Sequence, residues 1–164
     1  MQIDKVAFGG GCHWCTEAVF QSLKGVEKVE QGWLSSSNEN NTFSEAVIVH
    51  FYAELISLKH LIQVHLATHK STSNHSMRKK YRSAIYIFSD EQKIASNAIL
   101  DEIQKQTTAK IITQVLPFSK FKPSDSQFQN YYKKNPQKPF CKKYILPKLN
   151  LISNQFSDKI LVKK

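Results

Sequence analysis

The chain has 164 residues, 41% of them hydrophobic and 22% charged, with 23 Lys and Arg against 13 Asp and Glu for a formal net charge of +10. That length suits one domain with a sizeable core, and the apolar and aromatic content excludes a mainly disordered chain. No run approaches about 18 apolar residues, which excludes a membrane-spanning helix. Residues 1–10 lack the basic, apolar and small-residue pattern of a secretory leader, so a cytoplasmic protein is expected.

Residues 5–9 (KVAFG) form an apolar run that stops at Gly9–Gly10–Gly11, the pattern of a strand and a turn. Cys15, Val19, Phe20 and Leu23 then fall at helical spacing, with Gly25 as a stop. Residues 26–34 alternate weakly and read as a strand, and 35–42 (SSSNENNT) as an exposed loop. Residues 45–52 (EAVIVHFY) are a clear strand. Ser57 caps a helix carrying Leu58, Leu61, Ile62, His65 and Leu66 on one face. A polar loop over 68–80 leads to a strand at 83–88 (SAIYIF), and Ser89 opens an amphipathic helix reaching about Gln106. Residues 111–116 (IITQVL) are a fourth clear strand, and 124–132 suit a short helix. The prolines extend 135–140, and 142–164 read as a packed helix followed by a frayed basic tail from about 153. No repeat or linker interrupts the chain, so 1–164 reads as one domain. The alternation predicts an α/β (α+β) fold, a two-layer sandwich of a four-stranded mixed sheet with helices against it.

The positive charge comes mostly from Arg78–Lys79–Lys80, from residues 133–148 and from Lys159, Lys163 and Lys164. No helix-turn-helix, RNA-recognition sheet motif or phosphate loop accompanies them. A solvated basic face is expected rather than a specific nucleic-acid surface.

The chemistry concentrates at Gly9–Gly10–Gly11–Cys12–His13–Trp14–Cys15–Thr16–Glu17. A Cys at the first turn of a helix faces unpaired backbone N–H groups and the positive end of the helix dipole, which favour thiolate. Cys15 stands at dithiol spacing, and Cys141 makes an odd count of three, which argues against a structural disulfide framework. One C-x-x-C cannot make a four-Cys zinc site. A zinc site assembled from His65, His69, His75, Cys12 and Cys15 lacks the H-E-x-x-H acid, and His65 falls on the apolar stripe.

The motif GGGCHWCTE resembles the G-C-F-W-C-x-E nucleophile motif of the A-type peptide methionine sulfoxide reductases, and the likeness continues over about residues 3–150. FSEAVIVHF (43–51) is similar to the family's H-A-E-x-V-x-V strand, and KYRSAIYIF (80–88) to its Q-Y-R-S-A-I segment. FQNYYKKNPQKPFC (128–141) is similar to its H-Q-x-Y-x-x-x-N-P segment and the resolving cysteine that follows. The resemblance implies a ferredoxin-like core and reduction of the S epimer of methionine sulfoxide, free or in proteins. On this reading Cys12 is the nucleophile, Glu45 the acid that protonates the sulfoxide oxygen, and Tyr81 a second donor to that oxygen. Trp14 packs on the S-methyl group, and Cys15 or Cys141 condenses with the Cys12 sulfenic acid; Cys15 is close by spacing, but pairing it strains the first helical turn, so Cys141 in its Pro-rich segment is favoured. A thioredoxin-like protein, or dithiothreitol in its place, restores the thiols without any cofactor or metal, and a monomer is expected.

Three positions depart from the family pattern. His13 replaces its Phe, Trp33 in Gly32–Trp33–Leu34–Ser35–Ser36 replaces a Tyr, and Asn74–His75–Ser76–Met77–Arg78 lacks an acidic residue. His13, Trp33, His75 and Ser76 are therefore candidate substrate-lining groups. A thiol–disulfide oxidoreductase, or a relative with a shifted substrate, are the alternatives.

Overall fold

The structure, a computed structural model, describes residues 1–160. Strands β1 (Ile3–Gly9), β2 (Val26–Ser35), β3 (Ser44–Tyr52), β4 (Ala84–Ile87), β5 (Gln114–Pro117) and β6 (Lys120–Pro123) form one sheet in the order β5-β4-β1-β3-β2-β6. The sheet therefore has six strands, where the sequence pointed to four. The central order β4-β1-β3-β2 is antiparallel throughout, and β5 joins β4 in parallel. The extra strand β6 (KFKP) pairs with β2 on the other edge and carries one apolar side chain, Phe121, between exposed lysines. Alternation cannot reveal so short an edge strand.

Helices α1 (His13–Gln21), α2 (Leu58–Ala67) and α3 (Asp90–Gln104) follow β1, β3 and β4. Ser57 and Ser89 cap α2 and α3 as their spacing requires, each hydroxyl accepting a backbone N–H three residues on. Val6 and Phe8 of β1 point into the main core with Val19, Phe20, Leu61, Ile62, Val47 and Val49, all buried between sheet and helices. Ala7, Ala46, Ile48 and Tyr86 alternate onto the opposite face with Leu34 and Phe121.

The C-terminal third departs most from the periodic reading. In place of a helix over 124–132 stands a 3₁₀ turn (Ser126–Phe128), then Asn130 in the left-handed region at φ 57°, then the short α4 (Tyr131–Lys134). A π-helical turn (Cys141–Ile145) precedes α5 (Leu146–Gln155), with Pro147 in its first turn where no N–H is required. Residues beyond α5 pack back: the Lys24 N–H donates to the Lys159 carbonyl, and Leu23 bridges to Ile160. Lys163 and Lys164 of the expected tail lie outside the described residues. Among the described residues no helix is long and apolar enough to cross a membrane.

Candidate active site

The site stands where β1 hands over to α1, at one end of the central strands. Gly10 makes the turn at φ +153°, and a Cβ there would meet the His69 ring at 2.5 Å. Cys12 is the N-cap of α1, its carbonyl accepting from the Cys15 and Thr16 N–H groups. The Cys15 thiol, foremost, and the amides of Trp14 and Cys15 draw the Cys12 pKa below that of an ordinary thiol, against burial and the nearby Glu45 charge. The same contact pushes Cys15 far up, so Cys15 is the proton holder and Cys12 the more acidic thiol of the pair.

Register brings the acid to the thiol. Glu45 begins β3 opposite Trp33 of β2, one residue before Ala46 faces Gly9. It is 7% exposed, and its Oε1 accepts the His13 N–H at 3.2 Å. The His13 Nδ1–H donates to the Gly32 carbonyl at 2.7 Å, which leaves Nε2 3.5 Å from Glu45 Oε1. Burial lowers the His13 pKa, so this imidazole is neutral near pH 7. The Trp33 ring stands edge-on to His13 at 5.2 Å, and Lys80 Nζ is 3.7 Å from Glu45 Oε2 and 5.1 Å from the Tyr81 ring centre. Backbone pairing makes this possible: Glu45 N–H and Ser44 Oγ both bond the Lys80 carbonyl, and Ser44 Oγ accepts from Arg82 N–H. Tyr81 is thereby held beside the start of β3.

Behind Cys12 lies an aromatic cluster. Trp14 stacks on Tyr131 at 4.1 Å and on Phe128 at 5.6 Å, and meets Phe140 edge-on. Cys141, fully buried, shares this cluster with Cys12 and Cys15. All three cysteines are free.

The peptide methionine sulfoxide reductase family model matches residues 4–160. A peptide methionine sulfoxide reductase MsrA of Pasteurella multocida is 37% identical over 165 residues, spanning 92% of this chain and 95% of that one. The chain belongs to the peptide methionine sulfoxide reductase family. Its fold is similar to that of reduced Mxr1 from Saccharomyces cerevisiae, with a TM-score of 0.76, 22% identity, and 85% and 90% of the two chains covered. It is also similar to Mxr1 in complex with Trx2, with a TM-score of 0.62, 21% identity, and 79% and 85% covered.

Within this family member the 68–83 connection divides its expected residues. His75 and Tyr81 line an open cavity of about 370 Å³ with Gly10, Gly11, Lys70 and Met77. Ser76 is exposed at the start of a 3₁₀ turn and outside that lining. His65 and His69 serve the turn itself. His65 Nε2–H donates to the Gly9 carbonyl, and His69 Nδ1–H donates to the His65 carbonyl, leaving Nε2 to accept from Ser83. Burial keeps both neutral, His69 down to about 4. Among the described residues no group of three or more His, Cys, Asp or Glu is placed to hold a metal ion.

Two residues that order the site were not among the expected site residues, although Glu17 closes the C-x-x-C-x-E motif. Arg78, in the stretch read as a solvated basic face, is half-buried and donates to the carbonyls of Gly10, Lys70, Ser73 and Tyr81, tying the loop to the glycine turn. Glu17 is 1% exposed and accepts from Asn130 N–H, Tyr131 N–H and the Gln31 amide, which fixes Tyr131 against Trp14. No periodicity marks a polar loop or a buried acid on a helix as structural.

Proposed function

We propose that this chain reduces the S epimer of methionine sulfoxide, free or in a peptide, to methionine. The carrying observation is the placement of a thiolate-prone Cys12, activated by Cys15, next to the buried Glu45 carboxyl. The Cys12 thiolate attacks the sulfoxide sulfur, the sulfur–oxygen bond breaks, and methionine leaves. The oxygen ends on Cys12 as a sulfenic acid after taking one proton. Glu45 supplies that proton; the His13 backbone N–H donates to its Oε1, and the unprotonated His13 Nε2, its tautomer set by Gly32, stands ready to accept from the protonated carboxyl. Tyr81 and the Trp33 indole N–H offer further donors, and the half-buried Trp14 and His75 flank the substrate.

The sulfenic acid then condenses with a second thiol, releasing water and forming a disulfide. Strain in the first turn of the helix favours Cys141, whereas the Cys12–Cys15 contact favours Cys15 for the first condensation, with Cys141 in the same cluster to exchange afterwards. A thioredoxin-like dithiol completes the cycle. The fold shared with Mxr1 bound to Trx2 supports that partner, and three free cysteines suit a reducing cytoplasm. One chain supplies every group named, so a monomeric catalytic unit spanning the sequence suffices.

Incubation with methionine sulfoxide and no reductant tests this reading. One methionine per chain is expected in the first turnover, with a Cys12–Cys15 disulfide found by peptide mapping, and a second once exchange with Cys141 has freed Cys12. A Cys12–Cys141 disulfide as the first product assigns resolution to Cys141 instead. Methionine formed by Cys12→Ser contradicts the scheme.

A further inference from the structure

The +10 charge is not spread evenly around this site. Lys70 and Lys148 line the open cavity beside Tyr81. Lys80 faces both Glu45 and the Tyr81 ring. Lys122, opposite Trp33 in the β2–β6 register, holds its ammonium 5.9 Å from the Trp33 ring centre. Lys138 stands 5.6 Å from Tyr131, the ring stacked on Trp14. Three of these cations thus stand over rings around Cys12, and two line the cavity beside it.

Compensating acids are elsewhere. Among the described residues, the only ion pair made by these five lysines is that of Lys80 with the buried Glu45. The β2–β3 connection adds one exposed acid, Glu39, which pairs with none of them. At the far end of the strands Asp4, Glu27 and Glu54 mix with Lys5, Lys24 and Lys28, and on the helical side Lys59 pairs with Glu102. The other four have no carboxylate partner, Lys148 donating instead to the Thr68 carbonyl, and a merely solvated basic surface has no reason to gather such groups at one mouth.

We infer that the rim selects methionine sulfoxide residues flanked by Asp or Glu in peptides. This rests on the reductase reading above. Carboxylates on either side of the sulfoxide meet Lys70 and Lys148 at the cavity and Lys122 and Lys138 across the Trp14–Trp33 side, while the sulfoxide reaches Cys12. Such a field acts mainly on encounter and on KM, and salt screens it.

The test compares three pentapeptides with a central methionine S-sulfoxide flanked by Glu, Gln or Lys, assayed with dithiothreitol at low and high ionic strength beside the free amino acid. The expected order of kcat/KM is Glu over Gln over Lys, spanning about tenfold at low salt and converging at high salt. Lys70→Glu with Lys122→Glu reverses the Glu-to-Lys peptide preference. Equal kcat/KM for the three peptides at low salt overturns the inference, as does a preference that survives the double substitution. A charge effect confined to assays with thioredoxin assigns the rim to the reductant and also overturns it. Failure to reduce the free S epimer as well removes the reductase reading itself.

Discussion

At the residue scale the cysteine pair is the most consequential arrangement. Cys12 gains its thiolate character first from the Cys15 thiol and only then from the helix amides. Cys15→Ala deletes that donor, whereas Cys15→Ser retains one. A hydrogen bond of about 1 kcal/mol corresponds to about fivefold in thiolate population. Alkylation of Cys12 by iodoacetamide at pH 7 should therefore slow by about that factor in Cys15→Ala and much less in Cys15→Ser. Because the folded protein depresses the Cys12 pKa, the alkylation rate of the native chain rises and levels off at lower pH than that of an ordinary thiol. Equal rates in the two variants would show that the helix amides alone activate Cys12.

The same scale shows how far the sequence reaches. Cys12, Glu45 and Tyr81 belong to motifs of family type; β-strand register sets Glu45 opposite Trp33, and the Ser44 and Glu45 bonds to the Lys80 carbonyl hold Tyr81 beside them. The consequence of replacing the family's Phe with His13 was not visible, because an imidazole's tautomer depends on a carbonyl, here that of Gly32, nineteen residues away. Ser76 shows the converse: a motif position transferred by alignment of a loop whose 3₁₀ turn points it to solvent.

At the element scale the C-terminal segment deserves the closest physical reading. Residues 124–132 have no ladder of their own and are held by buried polar groups. Ser124 and Gln129 bond Gln31, and Gln31 with the Asn130 and Tyr131 amides converges on Glu17. Glu17→Ala strips the buried Tyr131 N–H of its acceptor and takes one partner each from the Asn130 N–H and the Gln31 amide, which keeps its bond to the Phe128 carbonyl, a loss of about 1–3 kcal/mol. Chemical denaturation should show that loss, and Trp14 fluorescence should change as Tyr131 unstacks. Unchanged stability and emission would mean that the aromatic stack, and not Glu17, holds the segment. Strands β1, β3 and β4 and helices α2 and α3 were legible because periodicity and serine caps are local signals. Strand β6 and the break at Asn130 were not, since long-range pairing and long-range hydrogen bonds specify them.

At the scale of the whole molecule, the family fold does two things with its strand ends. It gathers Cys12, His13, Glu45 and Trp33 at one end of the central sheet, and it leaves that end ringed by lysines. Composition gives the excess charge but not its location, which depends on which loops the topology places together. The sheet core keeps the strand ends rigid, while the covering segment 124–145 rests on aromatic stacking and buried hydrogen bonds. This division suits a site whose acid and nucleophile stay fixed while the cysteine in the cover, Cys141, exchanges partners.

The most direct measurement is a dithiothreitol-coupled assay on the separated S and R epimers of methionine sulfoxide, with native protein beside Cys12→Ser. The account predicts turnover of the S epimer alone and its complete loss with Cys12. Turnover that persists in Cys12→Ser, or reduction of the R epimer instead, would contradict it.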